Sequence, residues 1–355
     1  MAYNLYKHNQ AFQLESGEYL EEIDIAYTTY GTLNDDKSNV VWICHAFTAN
    51  SDAMEWWPGM VGKGLAFDPD KHFIICANIL GSAYGTTGPL SVNPKTGKPY
   101  YRNFPFITVR DIVNVNIILA GYLKIDKINT LTGGSVGGHQ AIEWAIMQPG
   151  KIKNLILIAT NARFSAWGNA FNASQRMAIE ADPSFYDDKP EGGAKGLETA
   201  RSIALISYRN QLAYNKTQSE QNNQVQDNFK AESYQRYQGK KLTNRFNAYS
   251  YYTLTKVLDA HNVARNRGGL REAMAKILAN TLIVGINSDI LFLPEEQYVM
   301  KQFIKKSELF MIESDYGHDG FLLEYTKISG IIANKFLQNK ETIIQQKKQE
   351  DFSNQ

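Results

Sequence analysis

Three side chains from distant parts of the chain could together activate a serine. They are Ser135 in Gly133-Gly134-Ser135-Val136-Gly137, Asp289 in Gly285-Ile286-Asn287-Ser288-Asp289, and His318 in Tyr316-Gly317-His318-Asp319-Gly320. A serine hydroxyl is a poor nucleophile until a base takes its proton, and that base needs an acid to orient it. The first stretch has the spacing G-x-S-x-G. An apolar run at 128–132 precedes it, and a helical pattern with Ala141, Trp144, Ala145 and Met147 follows. A strand, a glycine-bounded serine and a helix predict a sharp, strained turn that lifts the hydroxyl into the open. The turn also sets it at a helix N-terminus, where developing negative charge is favoured. Alone, the pentapeptide reads equally well as a glycine-rich turn with a structural serine. The later Asp and His change the balance, because each follows a strand-like run, at 281–286 and 308–312. Loops at the carboxyl ends of parallel strands share one edge of a sheet, so the three side chains can converge.

An acyl-transfer site also needs donors for an oxyanion. The backbone N–H of Val136, directly after the serine, is one candidate, and that of Phe47, in the loop after the apolar run 40–44, is the other. His45 stands in the same loop and could be mistaken for a base; its position argues that it shapes the turn.

The elements that must carry these residues follow from hydrophobic patterning. Alternation at 23–29 predicts a strand ending at Gly31. Continuous apolar runs at 40–44, 73–77 and 155–159 read as strands buried on both faces. Residues 107–123 read as an amphipathic helix. The segment from Gly81 to Pro99 is rich in Gly and Thr and reads as a packed functional loop. Strands alternating with helices imply an α/β architecture with a mostly parallel sheet and helices on both faces. From 161 to 276 the texture is helical, which predicts a helical cap inserted into a core made of residues 1–160 and 277–355. Within it, the polar stretch 215–228 reads as a mobile loop or helix link. A last helix is expected at 322–337, then a charged, Gln-rich tail from Lys340 that reads as frayed helix or disorder.

Composition narrows the function classes. The formal net charge of +1 recommends neither nucleic acid nor an anionic membrane as partner. No stretch reaches transmembrane length without charges, and the polar N-terminus carries no signal-peptide segment, so the expected compartment is the cytoplasm. Cys44 and Cys76 lie in strand-like runs and read as reduced core thiols; neither a disulfide nor a metal site is expected.

Together these stretches resemble the homoserine O-acetyltransferase family, acyltransferases of methionine synthesis on the α/β-hydrolase fold. The resemblance runs from about Tyr19 to Leu323. Its most specific parts are the stretch from Leu80 to Pro89 and Tyr316-Gly317-His318-Asp319, with Cys44-His45-Ala46-Phe47-Thr48, Gly133 to Gly138 and Asn287 to Phe292 in support. It implies a triad of Ser135, Asp289 and His318, and a substrate site made by Arg201, Tyr208 and Asp319. Arg201 and Tyr208 are seven residues apart in a helical pattern, so two turns put them on one face. An arginine can fork onto an α-carboxylate, and Asp319 can pair with an α-ammonium. The sequence departs from the family's pattern at His139, where Met is usual, at Ala83, where Cys is common, and in the polar insertion at 215–228.

The reaction so implied is a two-step transfer of an acetyl group from acetyl-CoA, through Ser135, to the hydroxyl of L-homoserine. No permanently bound cofactor is expected; acetyl-CoA is a substrate. Rival readings are succinyl-CoA as donor, serine as acceptor, or an esterase on the same scaffold. The resemblance also implies a homodimer built through the cap helices.

Overall fold

Val40-Val41-Trp42-Ile43-Cys44 offers water no polar side chain, and it forms a strand buried along its whole length. The computed structural model describes residues 3–337; the tail from Lys340 lies outside the described residues. Eight strands make the main sheet: β1 (Asn4–His8), β2 (Ile23–Tyr30), β3 (Val40–Cys44), β4 (Phe73–Ala77), β5 (Ile128–Gly134), β6 (Ile152–Ile158), β7 (Asn280–Ile286) and β8 (Ser307–Ile312). Their spatial order is β1-β2-β4-β3-β5-β6-β7-β8. From β4 to β8 neighbouring strands run parallel, while β2 and β1 pair antiparallel at one edge. The edge strand β1 was not legible in the sequence, because its side chains are exposed or half-buried and mixed in polarity.

The pleat of β3 sorts the core into two layers. Val40, Trp42 and Cys44 join one apolar cluster, and Val41 and Ile43 join the other on the opposite face. The first layer includes residues of α1 (Val109–Tyr122) and α2 (Val136–Met147), with Trp42 and Trp144 edge to face at 5.0 Å. The second packs Trp57, Phe321 and Ile328.

Between β6 and β7 the chain forms α3 (Ala166–Glu180), α4 (Ala194–Tyr208), α5 (Gln211–Gln218), α6 (Lys230–Thr243) and α7 (Ala248–Asp259). α5 takes up the first residues of the stretch expected as loop, so the link proper is shorter, at 219–229. An ion network centred on buried Glu143 fastens the end of this helical segment to the sheet's helices. Glu143 on α2 is paired to Arg110 of α1 at 3.0 Å and also to Arg267, while Glu15 meets Arg110 and Arg265, each at 2.7 Å. After β7 come α8 (Pro294–Phe303), β8, and a short helix at Gly320–Leu323. The single last helix expected from the sequence is broken at Glu324, which closes the short helix and precedes α9 (Tyr325–Ile332); the terminal turn, Ala333–Leu337, is π-helical. Among the described residues no helix is long and apolar enough to cross a membrane. Cys44 and Cys76 are buried free thiols, and burial pushes both pKa values up.

Candidate active site

Ser135 sits between β5 and α2 with φ 57° and ψ −128°, a left-handed conformation that costs a non-glycine residue energy. The strain is held by its surroundings. The Ser135 N–H donates to the Ile158 carbonyl at 3.0 Å, and the Ser135 carbonyl accepts the Thr160 hydroxyl at 2.8 Å. The crowding expected of such a turn is present. A Cβ on Gly137 would stand 2.1 Å from the Cys44 carbonyl oxygen, so only glycine lets α2 approach β3 this closely.

The loops after β7 and β8 bring the other two residues to the same edge. Nδ1 of His318 lies 2.7 Å from Oδ2 of Asp289, and Nε2 lies 2.9 Å from Oγ of Ser135. The second Asp289 oxygen accepts the backbone N–H groups of Leu291 at 2.8 Å and Phe292 at 3.0 Å. Both carboxylate oxygens are therefore engaged, which fixes the carboxylate and through it the tautomer: Nδ1 carries the proton and Nε2 presents a lone pair to the hydroxyl. The rings of Phe292, Phe321 and Tyr208 surround the imidazole, with centroids 5.0, 5.3 and 5.8 Å away. All three polar residues are buried.

Val136 opens α2, so its N–H has no partner within the helix. Phe47 lines the same cavity as Ser135, in the loop after β3. His45 shapes that loop. Its Nε2 accepts the Ile79 N–H at 3.0 Å, so its Nδ1 carries the proton and donates to the Ala46 carbonyl at 2.8 Å. Burial holds its pKa down at about 4, so it stays neutral. His139 is buried on α2, one turn after the serine, stacked on His261 at 3.8 Å and bonded to Asn161 at 2.8 Å.

The cavity over Ser135 holds about 260 Å³ and is walled by the helical segment. α4 delivers Arg201 and Tyr208 to it, and the guanidinium of Arg201 lies 5.4 Å from the centroid of the Tyr208 ring. Asp319, next to His318, completes the set. Its carboxylate is already engaged by Arg209, whose Nε lies 2.9 Å from Oδ2. Arg245, between α6 and α7, also lines the cavity and donates to the Thr48 carbonyl and to the Tyr84 hydroxyl, joining the helical segment to the loop of Phe47 and to the Gly-Thr loop. Sequence reasoning missed both arginines. Arg209 had a signal, its place directly after Tyr208; Arg245 had none, being one exposed cation among many.

Comparison with known proteins gives the family and the fold. Residues 39–325 match the family model described as alpha/beta hydrolase fold. The chain is 46% identical over 339 residues to a homoserine O-acetyltransferase of Cyclobacterium marinum, covering 96% of each, and 42% identical over 331 residues to that of Chlorobaculum tepidum, covering 92% of each. Among solved structures it superposes on a homoserine O-acetyltransferase from Bacillus anthracis with a TM-score of 0.87 at 26% identity, covering 96% of this chain and 98% of that one. It also superposes on esterase E22 with a TM-score of 0.85 at 25% identity, covering 94% and 99%. The chain belongs to the homoserine O-acetyltransferase family, acyltransferases built on the α/β-hydrolase fold.

Proposed function

We propose that the protein transfers an acetyl group from acetyl-CoA to the hydroxyl of L-homoserine, within methionine synthesis, by a ping-pong route through an ester on Ser135. His318 takes the hydroxyl proton as Oγ attacks the thioester carbonyl. The oxyanion is stabilised by the N–H groups of Val136 and Phe47. The C–S bond breaks, the proton passes from His318 to the departing thiolate, and CoA leaves as the thiol. The homoserine hydroxyl then gives its proton to His318 and attacks the acetyl ester. Collapse of the second tetrahedral intermediate returns the proton to Ser135 and releases O-acetylhomoserine. Asp289 holds the imidazole tautomer throughout.

The observation that carries the acceptor is that Arg201 and Asp319 both line the cavity over Ser135. One supplies a fork for an α-carboxylate and the other a carboxylate for an α-ammonium, which suits a small zwitterion. The rival reading is hydrolysis, favoured by the likeness to esterase E22. In that case water replaces homoserine at the acyl-enzyme. Following thiol release from acetyl-CoA separates the two. Transfer requires fast release only with homoserine present; equal release without any amino acid supports the esterase. Succinyl-CoA and serine, run in parallel, test the donor and the acceptor.

A further inference from the structure

α4 and the residue after it bring two guanidinium groups towards one carboxylate, and the two are in different states. Arg201 lies over the Tyr208 ring, and among the described residues no carboxylate forms an ion pair with it. Arg209 forms an ion pair with Asp319, Nε to Oδ2 at 2.9 Å, with side chains 31% and 16% exposed; the Nε–H is not aligned for a hydrogen bond, so the contact is one of charge. Its Nη2 is steadied from α6, where it donates to the Tyr234 hydroxyl at 3.3 Å. Arg209 is not among the residues lining the cavity, so it reaches Asp319 from outside the substrate space.

The backbone brings the two segments together. Gly317, at φ 64°, lies so near the end of α4 that a Cβ there would stand 2.7 Å from the Asn210 nitrogen and 2.9 Å from the Arg209 carbonyl carbon. The turn that carries His318 and Asp319 is thus pressed against the chain that carries Tyr208 and Arg209.

We propose that Arg209 is a positioning and specificity residue for the acceptor: its charge holds Asp319 as a carboxylate for the acceptor's ammonium, and leaves Arg201, on the same helical stretch and without a carboxylate partner, for the acceptor's carboxylate. This rests on the acceptor reading given above. A carboxylate enclosed in protein and left without a counter-charge takes up a proton, and a neutral carboxyl has little attraction for an ammonium group. Burial pushes the Asp319 pKa up; Arg209 opposes this most, with His318 and Arg201 acting the same way and Asp289 adding to the rise. With its charge engaged by Asp319, Arg209 does not compete for the α-carboxylate, so the acceptor is read in one direction only.

The test compares Arg209→Gln and Arg209→Lys with the unaltered enzyme in two assays. One is the burst of nitrophenol from p-nitrophenyl acetate, which reports acylation of Ser135 without an acceptor. The other is the KM for homoserine as a function of pH. The Gln variant should keep its burst within about twofold and raise the homoserine KM at least about tenfold. The KM defect should deepen as pH falls, as Asp319 takes up a proton more readily without its counter-charge. The Lys variant restores the cation and should recover most of the KM. An unchanged KM in the Gln variant, or burst and KM failing together in both variants, overturns the proposal. If the unaltered enzyme shows the burst but no response to homoserine, the acceptor reading itself fails, and that outcome is seen before any variant is made.

Discussion

Oδ2 of Asp289 stands 2.7 Å from Nδ1 of His318, while Oδ1 of the same carboxylate is held by two backbone N–H groups. Asp289→Asn can keep the backbone bonds through its amide oxygen, so the fold should survive. Its amide nitrogen would then face Nδ1 as a donor and force the proton onto Nε2, where it blocks proton transfer from Ser135. The expected result is a fall in kcat of about 10³–10⁴ with a near-native melting temperature. Steady-state rates and thermal unfolding check it; a loss below tenfold would show that the carboxylate does not set the tautomer.

If Arg201 receives the acceptor's carboxylate as proposed, its loss should appear in one half-reaction. Arg201→Gln is expected to raise the homoserine KM by about a hundredfold while the acceptor-free acetylation burst is unchanged. Arg201→Lys should recover little, because a single ammonium cannot fork onto a carboxylate. Equal loss in both half-reactions would mean that Arg201 supports the cavity wall instead.

Much of this site could be read before the fold was known. Ser135, Asp289 and His318 each follow a strand-forming run, and such runs are legible from local patterning. Arg201 and Tyr208 share a helix, so their common face was a matter of periodicity. What could not be read depends on how separate elements dock. The Arg209–Asp319 pair joins the end of α4 to a loop after β8, and Arg245 reaches Thr48 across 197 residues. Nor does any local signal mark β1, whose place at the sheet edge is set by β2. The break at Glu324 was missed because the apolar periodicity continues through it.

Glu296, in the first turn of α8, gives a prediction about stability. Oε1 accepts the Asn161 amide at 3.0 Å, while Oε2 is buried without a partner. Burial, the largest cause, raises its pKa from 4.5 to about 7. Across that window the folded protein keeps a proton that the unfolded chain releases, so this group's contribution is fully present below 4.5 and is lost as pH rises through about 7. Glu296→Gln keeps the Asn161 bond and removes the titration. It should be more stable than the parent at about pH 8, by on the order of 1 kcal/mol, and no more stable at about pH 4. Urea unfolding at the two pH values checks this; the same difference at both would show that the carboxyl is not titrating in the fold.

The outer faces of the helical segment carry exposed apolar side chains, Ile206 on α4, Leu212 on α5 and Tyr237 on α6, at 57%, 67% and 61% exposure. We expect a homodimer built through these helices. Sedimentation at micromolar concentration should give twice the chain mass, and Leu212→Glu with Ile206→Glu should shift it to one. A monomer in the unaltered protein would contradict this assembly.

The central claim is that an acetyl group rests on Ser135 between the two half-reactions. Intact-mass spectrometry of the enzyme mixed with acetyl-CoA and no acceptor, followed by peptide mapping, tests it directly. The peptide containing Ser135 should gain one acetyl group, cleared on adding homoserine and absent from Ser135→Ala. Undiminished acetyl transfer by Ser135→Ala, or an acetyl group mapped to another residue, would contradict it.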